Sequence, residues 1–159
     1  MKYHMRRSER ELKDNNDIEE ILKNGKYATI ALCNNNEPYI VTLNYGYDSA
    51  NKVLYFHAAK QGTKIDFIKS NPNACLTIIK DNGYIQKECA HSYRSVVVRG
   101  DIELVESEIE KRHGIEIMIE QLENNPEIVK STLDDKKSTY ENMQIIKLKI
   151  TEIAGKEGR

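Results

Sequence analysis

Residues 27–64 read YATIALCNNNEPYIVTLNYGYDSANKVLYFHAAKQGTK, a succession of short runs with strand character separated by polar turns. Residues 27–33 have a β-rich composition and end at the turn cluster 34–38, which predicts a strand followed by a tight turn. Residues 39–47 alternate strictly and place their odd-numbered side chains, three tyrosines, a valine and a leucine, on one face. These two runs are therefore predicted to form a hairpin.

Further runs of the same kind lie on the C-terminal side of this hairpin. Residues 53–58, 74–80, 93–106 and 144–153 are predicted to be strands three to six. Gly100 inside the fifth predicts a bulge or a sharp bend. Because turns rather than regular crossover helices join these strands, the pattern favours a mainly β fold, an antiparallel barrel with flanking helices, over a doubly wound parallel sheet.

Short helices are predicted to interrupt the strands. The first has Asp17 as its N-cap candidate and stops at Gly25, and the second covers residues 65–70. Ser107 begins a capping box that opens the third helix. That helix carries an apolar stripe at helical spacing, Ile115, Met118, Ile119 and Leu122. Residues 131–142 are predicted to be irregular.

Length and composition predict a single globular domain over residues 1–159, with 39% hydrophobic and 31% charged residues. The net charge of -1 provides no general field for nucleic acid or for anionic lipid, so neither is an expected partner. Three cysteines without C-x-x-C spacing indicate reduced thiols, and together with the lack of a long apolar segment they predict a cytoplasmic location. Cys89 and His91 lack a second pair of ligands, so no metal site is predicted.

Two residues in the opening stretch could carry chemistry. Lys64 follows a glycine at a predicted helix start, where a lysine ammonium and free N–H groups suit a phosphate, although a solvated lysine has the same spacing. His57 ends a strand and could donate a proton, or could be a half-buried strand histidine. The sequence contains no nucleophile elbow, P-loop or G-x-G-x-x-G motif, so hydrolase and nucleoside triphosphatase functions lack support.

Several blocks in order resemble the pyridoxamine 5'-phosphate oxidase-like FMN-binding split-barrel proteins, and in particular their nitroimidazole-resistance branch. These blocks are PYIVTLNYGY at 38–47, LYFHA at 54–58, GTK at 62–64 and YRSV at 93–96. The resemblance also includes the opening residues 5–11 and the closing residues 153–156, and so spans nearly the whole chain. It implies an antiparallel six-stranded split β-barrel that forms a homodimer, with FMN between the subunits.

The resemblance also implies which residues contact FMN. Val41, Thr42, Leu43 and Asn44 would run along the isoalloxazine ring. Phe56, His57 and Ala58 would line the ribityl and phosphate side, with Lys64 as the phosphate cation and Ser95 as a further polar contact. Oxidases of vitamin B6 carry an arginine where Thr63 stands here, and their C-terminal substrate segment has no counterpart. Oxidation of vitamin B6 is therefore not expected.

Two classes of function follow from this resemblance. The first is a flavin-dependent reductase of small electron-poor compounds such as 5-nitroimidazoles, with His57 as a proton donor. The second is a flavin-binding or sensing module without turnover of its own. A third alternative is a split barrel that holds haem or a deazaflavin in place of FMN.

Overall fold

The computed structural model describes residues 5–134 and 143–158, which form one antiparallel sheet and four α-helices. The eight strands are β1 (Glu11–Leu12), β2 (Tyr27–Asn34), β3 (Glu37–Asn44), β4 (Gly46–Asp48), β5 (Val53–Ala58), β6 (Asn73–Ile85), β7 (Ala90–Leu104) and β8 (Gln144–Gly158). The helices are α1 (Asn15–Asn24), α2 (Thr63–Ser70), α3 (Glu108–Leu122) and α4 (Pro126–Asp134). None of these helices combines the length and the apolar character needed to cross a bilayer.

The sheet curls into an open barrel. Its strand order is β3-β2-β6-β7-β8-β5-β4, and the short strand β1 also pairs with β8. β3 and β4 follow one another in the chain but stand at opposite ends of this order, and β3 approaches β5 without a ladder between them. This open seam confirms the prediction of a mainly β, antiparallel split barrel with flanking helices.

The predicted number of six strands is wrong, because the described residues form eight. Residues 39–47 are two strands that separate at Tyr45, whose hydroxyl donates a hydrogen bond to the carbonyl oxygen of Leu22 at 2.7 Å. The next residue, Gly46, pairs with Tyr55 of β5, whereas β3 pairs with β2. The short strand β1 was not predicted, and β7 ends at Leu104 rather than at residue 106. The predicted irregularity at Gly100 is confirmed by a register shift between β7 and β8.

The predicted helix boundaries need three corrections. Asp14, not Asp17, is the N-cap of α1, because its carboxylate accepts the backbone N–H of Asn16 at 2.8 Å. α2 begins two residues early, at Thr63. α4 includes residues 131–134 of the segment predicted to be irregular, and residues 135–142 of that segment lie outside the described residues.

The predicted capping box of α3 is half formed. Ser107 accepts the backbone N–H of Glu110 at 3.4 Å, as an N-cap should. The Glu110 carboxylate accepts from the Lys147 ammonium at 2.8 Å, so the ion pair to β8 takes the place of the reciprocal bond of a capping box.

Two apolar clusters hold the barrel together. The larger fills its interior, where side chains such as Phe56, Tyr45 and Leu148 are fully buried, and α2 contributes Ile65, Phe67 and Ile68 to it. The smaller lies outside the sheet, where α3 covers the outer side chains of β5 and the start of β8, including Val53, Tyr55 and Ile145. α3 therefore covers one part of the outer face and leaves the rest to solvent.

Gln121 of α3 joins three segments through its side-chain amide. Its Nε2 donates to the carbonyl oxygens of Leu22 and Gly25 at 3.2 and 2.6 Å, and its Oε1 accepts the backbone N–H of Tyr47 at 2.9 Å. We expect Gln121→Ala to lower the free energy of unfolding by about 2 kcal/mol in urea titrations, because it leaves partly buried backbone groups unpaired.

The neighbouring Glu120→Ala provides the control for this prediction. Glu120 is exposed and makes an ion pair with Lys130 at 2.8 Å, so its loss should cost less than about 1 kcal/mol. Equal losses for the two variants would mean that the amide of Gln121 does not join the three segments.

Candidate functional site

Four of the residues predicted to contact FMN lie on the outer face of the sheet. Thr42 and Asn44 alternate outward along β3, and the register of β2, β6 and β7 places Ser95 on the same side. His57 points outward from β5 on the face that also carries Tyr55. β3 approaches β5 across the seam, so both strands lie at this edge of the open barrel.

The other strand residues point into the barrel. Phe56 and Ala58 belong to the buried interior cluster, and Val41 and Leu43 pack against it. Their side chains are committed to the core, so only their backbone groups are available to a ligand. Their contact with FMN stays a prediction, now limited to backbone contacts.

Polar neighbours already engage part of the outer face. The hydroxyls of Thr29 and Thr42 are 3.0 Å apart across β2 and β3, and Asn44 donates through Nδ2 to the carbonyl oxygen of Lys26 at 2.9 Å. The oxygen of the Asn44 amide has no hydrogen bond among the described residues. Thr29 was not identified from the sequence, and the register of β2 against β3 places it opposite Thr42.

His57 differs from the other two histidines that the structure describes. His91 lies 2.7 Å from Asp81 and His113 lies 2.7 Å from Asp48, each in a paired arrangement. His57 is exposed and has no hydrogen-bond or ion-pair partner within residues 5–134 and 143–158. Its imidazole is therefore available to an incoming molecule.

The start of α2 has free hydrogen-bonding capacity. Gly62, at the N-cap, has φ of 125° and provides no capping side chain, and a methyl group placed on it would meet nothing within 4 Å. Its carbonyl oxygen accepts from the N–H groups of Ile65 and Asp66, which leaves those of Thr63 and Lys64 without a partner in the described chain. The Lys64 side chain is half-buried and also makes no ion pair there.

A second polar cluster links α3 to the sheet. Burial raises the pKa of Asp48, but hydrogen bonds from Asn51 and His113 outweigh this effect and hold that pKa below its usual range. Burial, together with the carboxylates of Glu110 and Asp48, raises the pKa of Tyr55 to about 12. Tyr55 therefore stays protonated, and this cluster has the internal pairing expected of a structural contact.

Solved structures with this fold come from several bacteria. A candidate 5-nitroimidazole antibiotic resistance protein from Bacteroides thetaiotaomicron has a TM-score of 0.75 and 24% identity, over 93% of this chain and 86% of that one. A flavocytochrome from Azotobacter vinelandii has a TM-score of 0.71 and 17% identity, over 98% and 72%. An FAD- and haem-binding protein from Mycobacterium smegmatis has a TM-score of 0.72 and 12% identity, over 94% and 74%.

At these identities the structural matches establish the shared fold. Among curated proteins none matches the chain. The family model for pyridoxamine 5'-phosphate oxidase matches residues 14–157, which is nearly the whole sequence. The chain therefore belongs to the pyridoxamine 5'-phosphate oxidase family.

Proposed function

We propose that this protein is an FMN-binding flavoprotein that reduces small electron-poor compounds such as 5-nitroimidazoles. The observation that carries this proposal is the pair of unpartnered polar side chains, His57 at the end of β5 and Lys64 at the start of α2, separated by one short loop. A half-buried cation without a partner is costly unless a ligand provides one, and the exposed imidazole of His57 is accessible to the same ligand.

The start of α2 fits the phosphate of FMN. Two free N–H groups, the hydroxyl of Thr63 and the ammonium of Lys64 provide hydrogen-bond donors, and the space in front of Gly62 is open. A helix N-terminus with a nearby lysine is a favourable place for a dianion. Backbone N–H donors of this turn would also replace the arginine that vitamin B6 oxidases carry at the position of Thr63.

The polar residues on the outer face fit the rest of the flavin. Thr42 and Asn44 would contact the polar edge of the isoalloxazine ring, and Ser95 would add a hydroxyl. The backbone groups of Val41, Leu43, Phe56 and Ala58 remain available to the ring and the ribityl chain.

A homodimer would complete the site. Among the large apolar side chains exposed on the described sheet, three lie on the outer face of β2, β3 and the first part of β6: Tyr27 at 60%, Ile40 at 67% and Ile79 at 56%. Their strands β3, β2 and β6 are neighbours in the sheet, so the three residues share one surface. Clustered exposed apolar residues of this kind are typical of an interface between proteins. Burying this surface against a second copy would also enclose Thr42 and Asn44, at the place where the ring would lie.

This arrangement suggests a role in the reaction for each part of the site. Bound FMN would supply the redox chemistry, for which an external donor provides the reducing equivalents that reach the electron-poor acceptor. Lys64 and the start of α2 would hold the phosphate, and the outward residues of β3 would orient the ring. His57 donates a proton from its imidazole to an oxygen of the acceptor as charge develops there. The nitroimidazole-resistance assignment of the Bacteroides structure supports this class of substrate, and the FAD-binding protein from Mesorhizobium loti supports a flavin.

His57→Ala is expected to lower turnover of a 5-nitroimidazole by about 10²-fold or more, the usual contribution of a positioned acid, while bound flavin is retained. Steady-state reduction and the flavin spectrum would be measured on the same sample. His91→Ala is the matched control, because His91 lies on the β6–β7 hairpin and pairs with Asp81. Unchanged turnover in His57→Ala would exclude the proton-donor role.

An absorbance spectrum with FMN added, combined with the mass in solution, tests the cofactor and the assembly together. Flavin bands on a dimer are expected. A Soret band would show haem in place of FMN. A colourless monomer that does not bind added FMN would overturn the proposal. Rapid reoxidation of reduced flavin with no reduction of any nitro compound would favour the module without turnover.

A further inference from the structure

A pocket of about 230 Å³ lies between α3 and α4, beside the end of β5. α3 contributes the apolar stripe that the sequence predicts, whose inner side chains also cover the sheet. α4 closes the opposite wall with Val129 and Leu133. The lining residues that the structure describes are Ile115, Met118, Ile119, Leu122, Glu123, Val129, Leu133, Met143 and His57.

The walls of this pocket favour an uncharged ring. Seven of the nine lining residues are aliphatic or thioether side chains, and no lysine or arginine lines the described part of the pocket. The thioethers of Met118 and Met143 adapt their shape and make favourable contacts with aromatic rings. Glu123 is the one carboxylate among the described lining residues, and its negative charge disfavours an anion.

The volume is sufficient for a single ring. A cavity of about 150 Å³ with aliphatic and aromatic walls is enough to hold benzene. At about 230 Å³, this pocket has room for one substituted ring.

His57 connects this pocket to the proposed flavin site. It is the one histidine among the lining residues, and it has no partner within the described residues. A ligand whose ring occupies the apolar part could therefore place an acceptor oxygen against the imidazole. A nitro or carbonyl group on a single ring has this geometry.

We propose that the pocket between α3 and α4 binds the ring of an uncharged, single-ring nitroaromatic or carbonyl compound, with its acceptor oxygen hydrogen-bonded to His57. This inference deepens the proposed function and rests on it for the reduction step, because it assigns the part of the site that selects the acceptor. The binding itself depends only on the pocket.

Methionine methyl groups provide a direct test. The protein would be labelled with ¹³C at the methionine methyls and titrated with nitrobenzene, with and without FMN. Saturable shifts are expected at Met118 and Met143, whereas Met5, near the N-terminus, should not move. The anion 4-nitrobenzoate should bind at least about tenfold more weakly, because Glu123 repels it and its charge would lose solvation.

A pair of variants on α4 sharpens the test. Val129→Trp fills the pocket and should remove the saturable shifts, whereas Ile128→Trp, at an exposed neighbouring position, should leave them unchanged. Absent shifts in the wild-type protein, or equal responses of the two variants, would overturn the inference. If FMN does not bind and the shifts remain, the proposed function fails and the pocket stands. If FMN binds and nitrobenzene causes no shift, the pocket assignment fails alone.

Discussion

Gly46→Ala is expected to lower the free energy of unfolding by about 3 kcal/mol, the upper part of the usual range for overpacking. A methyl group on Gly46 would lie 2.6 Å from both the Cα and the backbone nitrogen of Met118. Backbone atoms of a helix cannot rotate away as the end of a side chain can. α3 would therefore have to move off β4, which would loosen the smaller apolar cluster and the contacts of Gln121.

Urea titration and the far-ultraviolet circular dichroism of the folded state would measure this effect. Gly83→Ala is the control, because a methyl group there meets nothing within 4 Å. Gly83 has φ of 96°, so the control carries only a backbone cost, about 1 kcal/mol. If Gly46→Ala were no worse than this control, the close approach of α3 to β4 would be wrong.

The stretch of chain around Gly46 also shows which features the sequence predicts well and which it does not. Strict alternation over residues 39–47 places Tyr45 and Tyr47 on one face and Thr42 and Asn44 on the other, and in the structure the first face points inward and the second outward. A period of two persists through the break at Tyr45, so alternation alone cannot reveal that the chain passes from one end of the strand order to the other. At the break, the Tyr45 hydroxyl donates to the carbonyl oxygen of Leu22, a residue that is distant in sequence.

Helix starts show a similar limit. Asp14 and Asp17 are both reasonable N-caps by residue type, and the sequence pattern favours the one nearest the apolar run. In the structure Asp17 lies in the first turn and accepts from Arg94 of β7 at 2.9 Å, a tertiary contact. Glu110 likewise makes a tertiary contact, the ion pair with Lys147, instead of the reciprocal hydrogen bond of a capping box. Local signals identify the residues that can cap a helix, and tertiary partners decide which of them do.

The residues of the candidate site also differ in how well the sequence predicts their directions. The polar residues that point outward could be identified from spacing and from the family resemblance. Phe56 and Ala58 point into the barrel, whereas Val53 and Tyr55 are buried on the opposite face beneath α3. Because both faces of β5 carry apolar residues over 53–56, alternation does not distinguish the inward face of that strand. The pocket between α3 and α4 likewise requires two helices whose relative position the sequence does not specify.

Lys64→Ala is expected to raise the Kd for FMN about 10- to 100-fold, which corresponds to the loss of one hydrogen bond to a charged group. The reason lies in the geometry of α2, where the half-buried ammonium has no ion-pair partner within the described residues and stands beside two free N–H groups. Quenching of flavin fluorescence would measure the affinity. The salt dependence of binding should also weaken, since one phosphate contact is lost.

Lys69→Ala is the matched control for this prediction, because Lys69 lies in the last turn of the same helix and has the same charge. A general attraction of FMN to positive charge would weaken binding equally in both variants, whereas a phosphate site at the start of α2 is sensitive to Lys64 alone. Lys64→Arg should restore part of the affinity, because a guanidinium also donates to phosphate. Wild-type affinity in Lys64→Ala would mean that the backbone groups of this turn hold the phosphate without the lysine, or that the phosphate lies elsewhere, and either result would remove Lys64 from the site.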